Sequence, residues 1–365
     1  MPGGMMAEPT APTTAADPSS TRPPARRRVA PLLAPGLLWI AVAYVVPGLL
    51  VVVYSFLTPK LGGGVVWEAT LDSWDQIVAK GRRSTAGWGT VGAAVLRGAA
   101  AVAVASVPAV AAARYLGRRI SASLALAALF GGLVAVNHLA SEYNNYTAVF
   151  ARSVVWSVLA TVICIGLALP LAVFISSRRS PVTKNALLIA VMIPFWTSML
   201  VRTYAIRFLF ANTGPLNNLL ESLGLDRIVF LNTRFAVILG LVYTALPFMI
   251  LPLYAATERV DRAQMEAARD LGARPPQVFA DVFLPMVKPG LIVGGVMVFV
   301  LSVSQYLVPT LLGGGKTNMI ANLLELQFGE AFNWPLGAAI AALFSVVTLA
   351  SLYVTVGRRD QEQFL

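Results

Sequence analysis

The chain has 365 residues, of which 57% are hydrophobic and 12% charged, and its formal net charge is +11. A soluble domain carries about twice that charged fraction, so composition excludes an ordinary water-soluble enzyme and excludes disorder over most of the length. The apolar runs extend for about twenty residues without the alternation of barrel strands, which excludes a membrane β-barrel and predicts an all-α polytopic membrane protein.

The basic excess gathers at the ends of the apolar runs and is not interleaved with aromatics, a pattern of membrane topology and not of nucleic-acid binding. Cys164 and His138 are the single residues of their types. A disulfide within the chain is therefore excluded, a Cys/His metal site is not expected, and both residues read as packing residues.

In chain order, residues 1–30 are rich in Pro, Thr, Ala and Ser and predict a disordered cytoplasmic tail ending in Arg26-Arg27-Arg28. The apolar run at 32–57 is too long for the core of a signal peptide and has no small-residue cleavage site after it. It reads as the first membrane helix, within 31–59. Seven further runs follow, at 91–115, 120–138, 154–175, 186–206, 235–256, 291–312 and 335–356. Residues 60–142 thus form an outer loop plus an inserted hairpin of two spans (about 88–140), with Arg97 placed to snorkel toward the interface. Prolines within the runs, such as Pro170, Pro194, Pro247 and Pro309, are tolerated where neighbouring helices re-satisfy the backbone. With the N-terminus inside, Lys and Arg divide 17 to 10 in favour of the cytoplasmic side, and Arg97 lies within a span. Both termini, including the tail at 358–365, are therefore expected in the cytoplasm.

The loop at 257–288 is the longest predicted cytoplasmic connection. Asp261 with Gln264 three positions on forms a capping-box start, and Met265, Ala268 and Leu271 share one face of a short helix. Gly272 stands where a left-handed C-terminal cap is needed, and Pro275 and Pro276 open a second short helix. Two helices outside the membrane joined by a glycine turn make a docking shape. Ala267 and Ala268 permit close approach, and Glu266 and Asp270 supply rim charges.

Within this loop, Glu266-Ala267-Ala268, three residues, Gly272, nine residues and Val282-Phe283-Leu284-Pro285 are similar to the E-A-A-x3-G-x9-I-x-L-P signature of the membrane subunits of bacterial ABC importers; Val282 for Ile is the one departure. The stretches IPFWTSMLVRTYA (193–205), NTGPLNNLL (212–220), LPFMILPLYA (246–255) and LLGGGKTNMIANLLELQFG (311–329) resemble the spermidine/putrescine permeases of that superfamily. The resemblance covers about 31–75 and 143–359, and the inserted hairpin departs from it.

The resemblance implies a type I ABC importer permease fold with about eight spans here, six core helices plus the hairpin, and a permease core at 143–357. It implies a second homologous permease, two cytoplasmic ATPase subunits and an extracytoplasmic substrate-binding protein as partners, in a lipid membrane. The chain has no Walker-type phosphate loop. It is read as a non-catalytic subunit without cofactor, with ATP and Mg bound by the partner ATPase. The helix Met265–Gly272, with Glu266, Ala267, Ala268, Asp270 and Leu271, is expected to sit in a cleft of that ATPase and switch the pore between two states.

A polyamine route calls for acids and aromatics. Glu325 and Glu330 near Trp334, together with Trp196, Tyr243, Gln305 and Tyr306, are the pathway candidates. Each has a plain alternative, solvation for the acids and an interfacial aromatic belt for the rings. Gly313-Gly314-Gly315 reads as a flexible turn, and Arg202 and Arg207 as residues facing the binding protein or lipid phosphate. An importer of another small solute, such as an amino acid derivative or an organophosphonate, would share the same loop. A secondary transporter would call for inverted repeats and intramembrane carboxylates, and an intramembrane enzyme for a catalytic constellation; the apolar runs contain neither.

Overall fold

The computed structural model describes residues 41–60, 62–78 and 145–362, with short pieces at 35–36 and 38–39. The tail at 1–30, the inserted hairpin with Arg97, and His138 lie outside the described residues. Contact clustering separates Met1–Leu50 from Val51–Leu365. The first unit holds a π-helical turn, Ala41–Val45, and the first part of helix α1 (Val46–Tyr54), whose last residues belong to the second.

The second unit continues with a small antiparallel ribbon, β1 (Leu57–Pro59) with β2 (Val65–Ala69), a minor addition to an otherwise helical protein. The glycines at 62–64 all have φ near +90° and make the turn between the strands. Helix α2 (Asp72–Val78) follows.

Three helices among the described residues are long and apolar enough to cross a membrane: Ala148–Ser176 within α3 (Asn145–Ser176), α7 (Arg234–Glu258) and α9 (Pro275–Val303). They form the centre of the bundle. Helix α7 is the most deeply placed, and its residues Val237, Leu241, Met249 and Leu253 are fully enclosed. Apolar side chains gain little from leaving lipid for a helix interface, so small residues that permit close backbone approach must supply the packing. On α3 these are Ala160, Cys164, Ala168 and Ala172, one per turn and all completely buried. The Cys164 thiol lies 3.7 Å from the Val242 carbonyl oxygen of α7, so its expected packing role is borne out. On α9, a Cβ at Gly290 would stand 2.6 Å from the Pro252 carbonyl oxygen, and one at Gly294 would stand 2.7 Å from Met249 Sδ.

Two predicted spans are corrected. The run at 186–206 is not one helix: α4 (Pro181–Trp196) and α5 (Met199–Leu209) meet at 89°. Pro194 has no N–H to continue the ladder, and the Thr197 hydroxyl donates to the Pro194 carbonyl at 2.7 Å, taking the acceptor the next turn would use. The run at 291–312 is also displaced. Helix α9 begins at Pro275 and stops at Val303; after a break at Ser304-Gln305-Tyr306 the chain turns through a π-helical segment, Pro309–Gly313. Pro309 lacks the N–H that would bond the Gln305 carbonyl, which weakens the ladder at this break.

The segment after the break is pinned by polar contacts. The Asn322 side-chain amide donates to the Tyr306 carbonyl at 2.8 Å and to Thr310 Oγ1 at 2.6 Å, while its oxygen accepts from the Met319 N–H at 3.0 Å. The Ile320 N–H donates to Ser153 Oγ of α3 at 2.7 Å. The three glycines at 313–315 are not the flexible turn expected. Gly313 is buried, Gly314 has φ +65°, and the Asn232 N–H donates to the Leu312 carbonyl at 2.8 Å, closing this turn onto the start of α7. Helix α6 (Pro215–Ser222) lies between α5 and α7 in the chain, helices α10 (Ile320–Glu325) and α11 (Trp334–Glu362) come last, and Ile320, Leu336, Ala339 and Ile340 share a second core with Ile77 of α2.

Candidate functional site

Helix α8 (Arg262–Asp270) stands between the ends of α7 and α9. Asp261 caps it, as expected, although its Oδ1 accepts from the Ala263 N–H at 2.9 Å and not from Gln264. The other end is a Schellman cap. The Gly272 N–H donates to the Arg269 carbonyl at 2.9 Å, the Ala273 N–H to the Ala268 carbonyl at 3.0 Å, and Gly272 adopts φ +86°.

The predicted face divides in two. Met265 and Ala268 are half-buried, Met265 against the main core, whereas Leu271 is 90% exposed. Leu271 falls outside the buried stripe because it is the cap residue, where the helix has already turned away. Glu266, Ala267 and Asp270 are also exposed. A short helix therefore presents two acids, a small residue and a bare leucine outward, while its inner side rests on the bundle.

The second predicted short helix is instead the first part of α9. Pro275 opens it, Gln277 Oε1 accepts from the Arg274 N–H at 2.8 Å, and a π-helical segment, Val278–Phe283, runs on into Leu284–Val303 without a break. The Val282-Phe283-Leu284-Pro285 motif straddles this join. Phe283 is buried and stacks on Phe279 with ring centroids 5.3 Å apart. One Schellman turn thus joins α8 to a 29-residue helix that contacts both α3 and α7.

Between α8 and the bundle lies a cavity of about 490 Å³, with Met265, Glu266 and Arg269 on one side and Val173, Ser177 and Lys184 on the other. Lys184 Nζ and Glu258 Oε1 lie 2.5 Å apart and tie the start of α4 to the end of α7 beside it.

Of the pathway candidates, Trp196 is 88% exposed at the α4–α5 corner, and Tyr243, Tyr306, Glu325 and Glu330 are exposed. Gln305 alone among them lines an interior cavity, of about 270 Å³, formed by the α4–α5 corner, α7 and the end of α9. Arg202 lines it as well: Nε is shielded, and the guanidinium carbon lies 5.5 Å from the Phe195 ring centroid. No continuous apolar periodicity marks this cavity in the sequence, because two helix breaks build it.

Residues 165–359 match the family model described as the binding-protein-dependent transport system inner membrane component. The spermidine/putrescine transport system permease protein PotB of Haemophilus influenzae is 40% identical over 221 residues, covering 58% of this chain and 77% of that protein. The chain belongs to this permease family. PotB of Escherichia coli is 37% identical over 206 residues, with 55% and 74% coverage. The inner membrane ABC transporter permease protein YdcU of Escherichia coli is 35% identical over 231 residues, with 59% and 72% coverage. The crystal structure of a bacterial ABC transporter involved in the import of the acidic polysaccharide alginate shares the fold, with TM-score 0.57 at 15% identity over 91% of this chain and 95% of that one. The protein is a multi-pass inner membrane permease component of type I ABC importer fold, and not an enzyme.

Proposed function

We propose that this permease imports polyamines, spermidine or putrescine, using ATP hydrolysed by a cytoplasmic ATPase that docks on α8. Two such ATPases, a second homologous permease and an extracytoplasmic binding protein complete the assembly, with both termini of this chain in the cytoplasm. ATP and Mg belong to the ATPase.

The observation that carries the coupling half is the outward face of α8. Glu266, Ala267, Asp270 and Leu271 are exposed on a helix whose Schellman cap joins it to α9. An exposed leucine flanked by acids on a short helix suits a partner cleft with an apolar floor and a basic rim. ATPase closure then moves α8, and α9 with it, as one arm of a two-state switch. The substrate half rests on likeness to the PotB proteins at 36–40% identity.

The test is uptake of labelled spermidine and putrescine by cells lacking this chain, complemented with the wild type or with Gly272→Arg. Uptake restored by the wild type alone supports polyamine import coupled through α8. Uptake unaffected by deletion overturns the substrate. Equal rescue by Gly272→Arg overturns the coupling role.

A further inference from the structure

The 270 Å³ cavity holds hydrogen-bond donors without a matching acid. Among the described residues, Arg202 Nε and Ser302 Oγ are both buried and without a hydrogen-bond partner, and no acidic residue lines the cavity. The only hydrogen bond of the Gln305 side chain among the described residues is a weak one, Nε2 to Met199 Sδ at 3.6 Å. Thr244 spends its proton on the Gly240 and Leu241 carbonyls, at 2.6 and 3.1 Å. The remaining walls are apolar: Phe195, Leu241, Phe248 and Leu301. A guanidinium in such surroundings is costly unless an anion meets it, and an ionisable group within a membrane bundle calls for a partner.

We propose that this cavity receives a carboxylate side chain from the second permease subunit, held in a charge-assisted pair by Arg202 with Ser302 and Gln305 as supporting donors. The proposal rests on the two-permease reading given above. The apolar walls at Phe248 and Leu301 suit the methylene stem of an Asp or Glu side chain, and a polyamine, being a polycation, supplies no anion. The pair also gives the α4–α5 corner a purpose, since the 89° turn is what brings Arg202 beside the end of α9. The partner's acid would then lock the corner to the broken end of the helix that α8 drives.

The experiment uses the full complex, co-expressed with a tag on this chain and extracted in mild detergent. The quantity read is the second permease recovered per tagged chain, for wild type, Arg202→Lys, Arg202→Gln and Arg202→Glu. Loss of one member of a buried charged pair weakens association about tenfold or more, so Gln and Glu should lower recovery by that factor while Lys retains most of it. Second-site revertants of Arg202→Glu should place Lys or Arg at an acidic position of the second permease. Should Arg202→Gln fail to accumulate, Ser302→Ala, which removes one donor and no charge, should lower recovery by a smaller factor of about threefold. Unchanged recovery in all variants overturns the proposal. Unchanged recovery with a raised half-saturating solute concentration also overturns it and gives the cavity to the cargo. If the wild type recovers no second permease, the two-permease reading fails instead.

Discussion

The Ala273 N–H reaches back to the Ala268 carbonyl at 3.0 Å across Gly272, whose φ is +86°. This one bond ties Ala268, the last residue of the Glu266-Ala267-Ala268 motif, to the residue two positions before α9. It sets the direction in which the chain leaves α8. A Cβ at Gly272 would meet nothing within 4 Å, so the requirement for glycine is one of backbone conformation and not of space.

Gly272→Ala should therefore cost about 1–2 kcal/mol at the cap, lowering uptake without loss of inserted protein. Gly272→Asn, which tolerates the left-handed region, should retain more uptake than Ala. Parallel uptake and membrane-fraction immunoblots of the two variants check the order.

The outward face of α8 contributes little to the fold, because Glu266 and Leu271 are exposed. Glu266→Lys and Leu271→Asp should leave the chain's thermal stability within about 0.5 kcal/mol of wild type while abolishing recovery of the ATPase with the purified subunit. A matching loss of stability would reassign both residues to packing.

At the α7–α9 contact the opposite holds. A Cβ at Gly290 would press on the Pro252 carbonyl oxygen, which is backbone and cannot swing aside. Gly290→Ala should destabilise by about 1–3 kcal/mol, and Gly290→Val should prevent stable accumulation. Thermal unfolding in detergent measures the first and membrane yield the second.

Asn322 makes three hydrogen bonds that hold the segment after the α9 break. Replacement by Leu adds bulk and strands the buried Met319 N–H, while the Thr310 hydroxyl keeps its own bond to the Tyr306 carbonyl at 2.8 Å. A loss of about 2–3 kcal/mol is expected, seen as a lower melting point and as new protease cleavage near 306–319.

The Lys184–Glu258 pair has side-chain exposures of 19% and 41%. Partial exposure limits its worth to about 1 kcal/mol or less. Lys184→Met should change stability by no more than that, and the difference should shrink as salt is raised from low to about 1 M.

Much of this fold is legible from the residues alone, for physical reasons. Residues 235–256 predict α7 within two positions at either end because that helix is uninterrupted, with Thr233 capping its start. Asp261, Gly272 and Pro275 mark their helix ends correctly because caps are local, decided by one or two backbone hydrogen bonds. The breaks at Thr197-Ser198 and Ser304-Gln305 are not legible as breaks. Pro194 and Pro309 flag both regions, yet prolines elsewhere in the chain, such as Pro170 and Pro247, sit inside helices that continue. Whether a proline bends or breaks a helix depends on what takes up the freed carbonyls, and that is tertiary. The cavity with Arg202 follows from the two breaks, so it appears only in three dimensions. The pathway aromatics are not separable from interfacial ones by sequence position, since a ring at the end of an apolar run serves either role.

The central claim is that α8 is the point at which the ATPase drives this permease. Cys164 is the chain's single cysteine and is buried, so Leu271→Cys introduces one accessible thiol on the outward face of α8. In membranes holding the assembled importer, a benzophenone-maleimide attached to the thiol at 271 and photoactivated should join this position to the ATPase subunit, with a yield that changes when ATP is added. A thiol at 271 that reacts freely with water-soluble maleimide but never joins the ATPase, with or without nucleotide, would contradict the account.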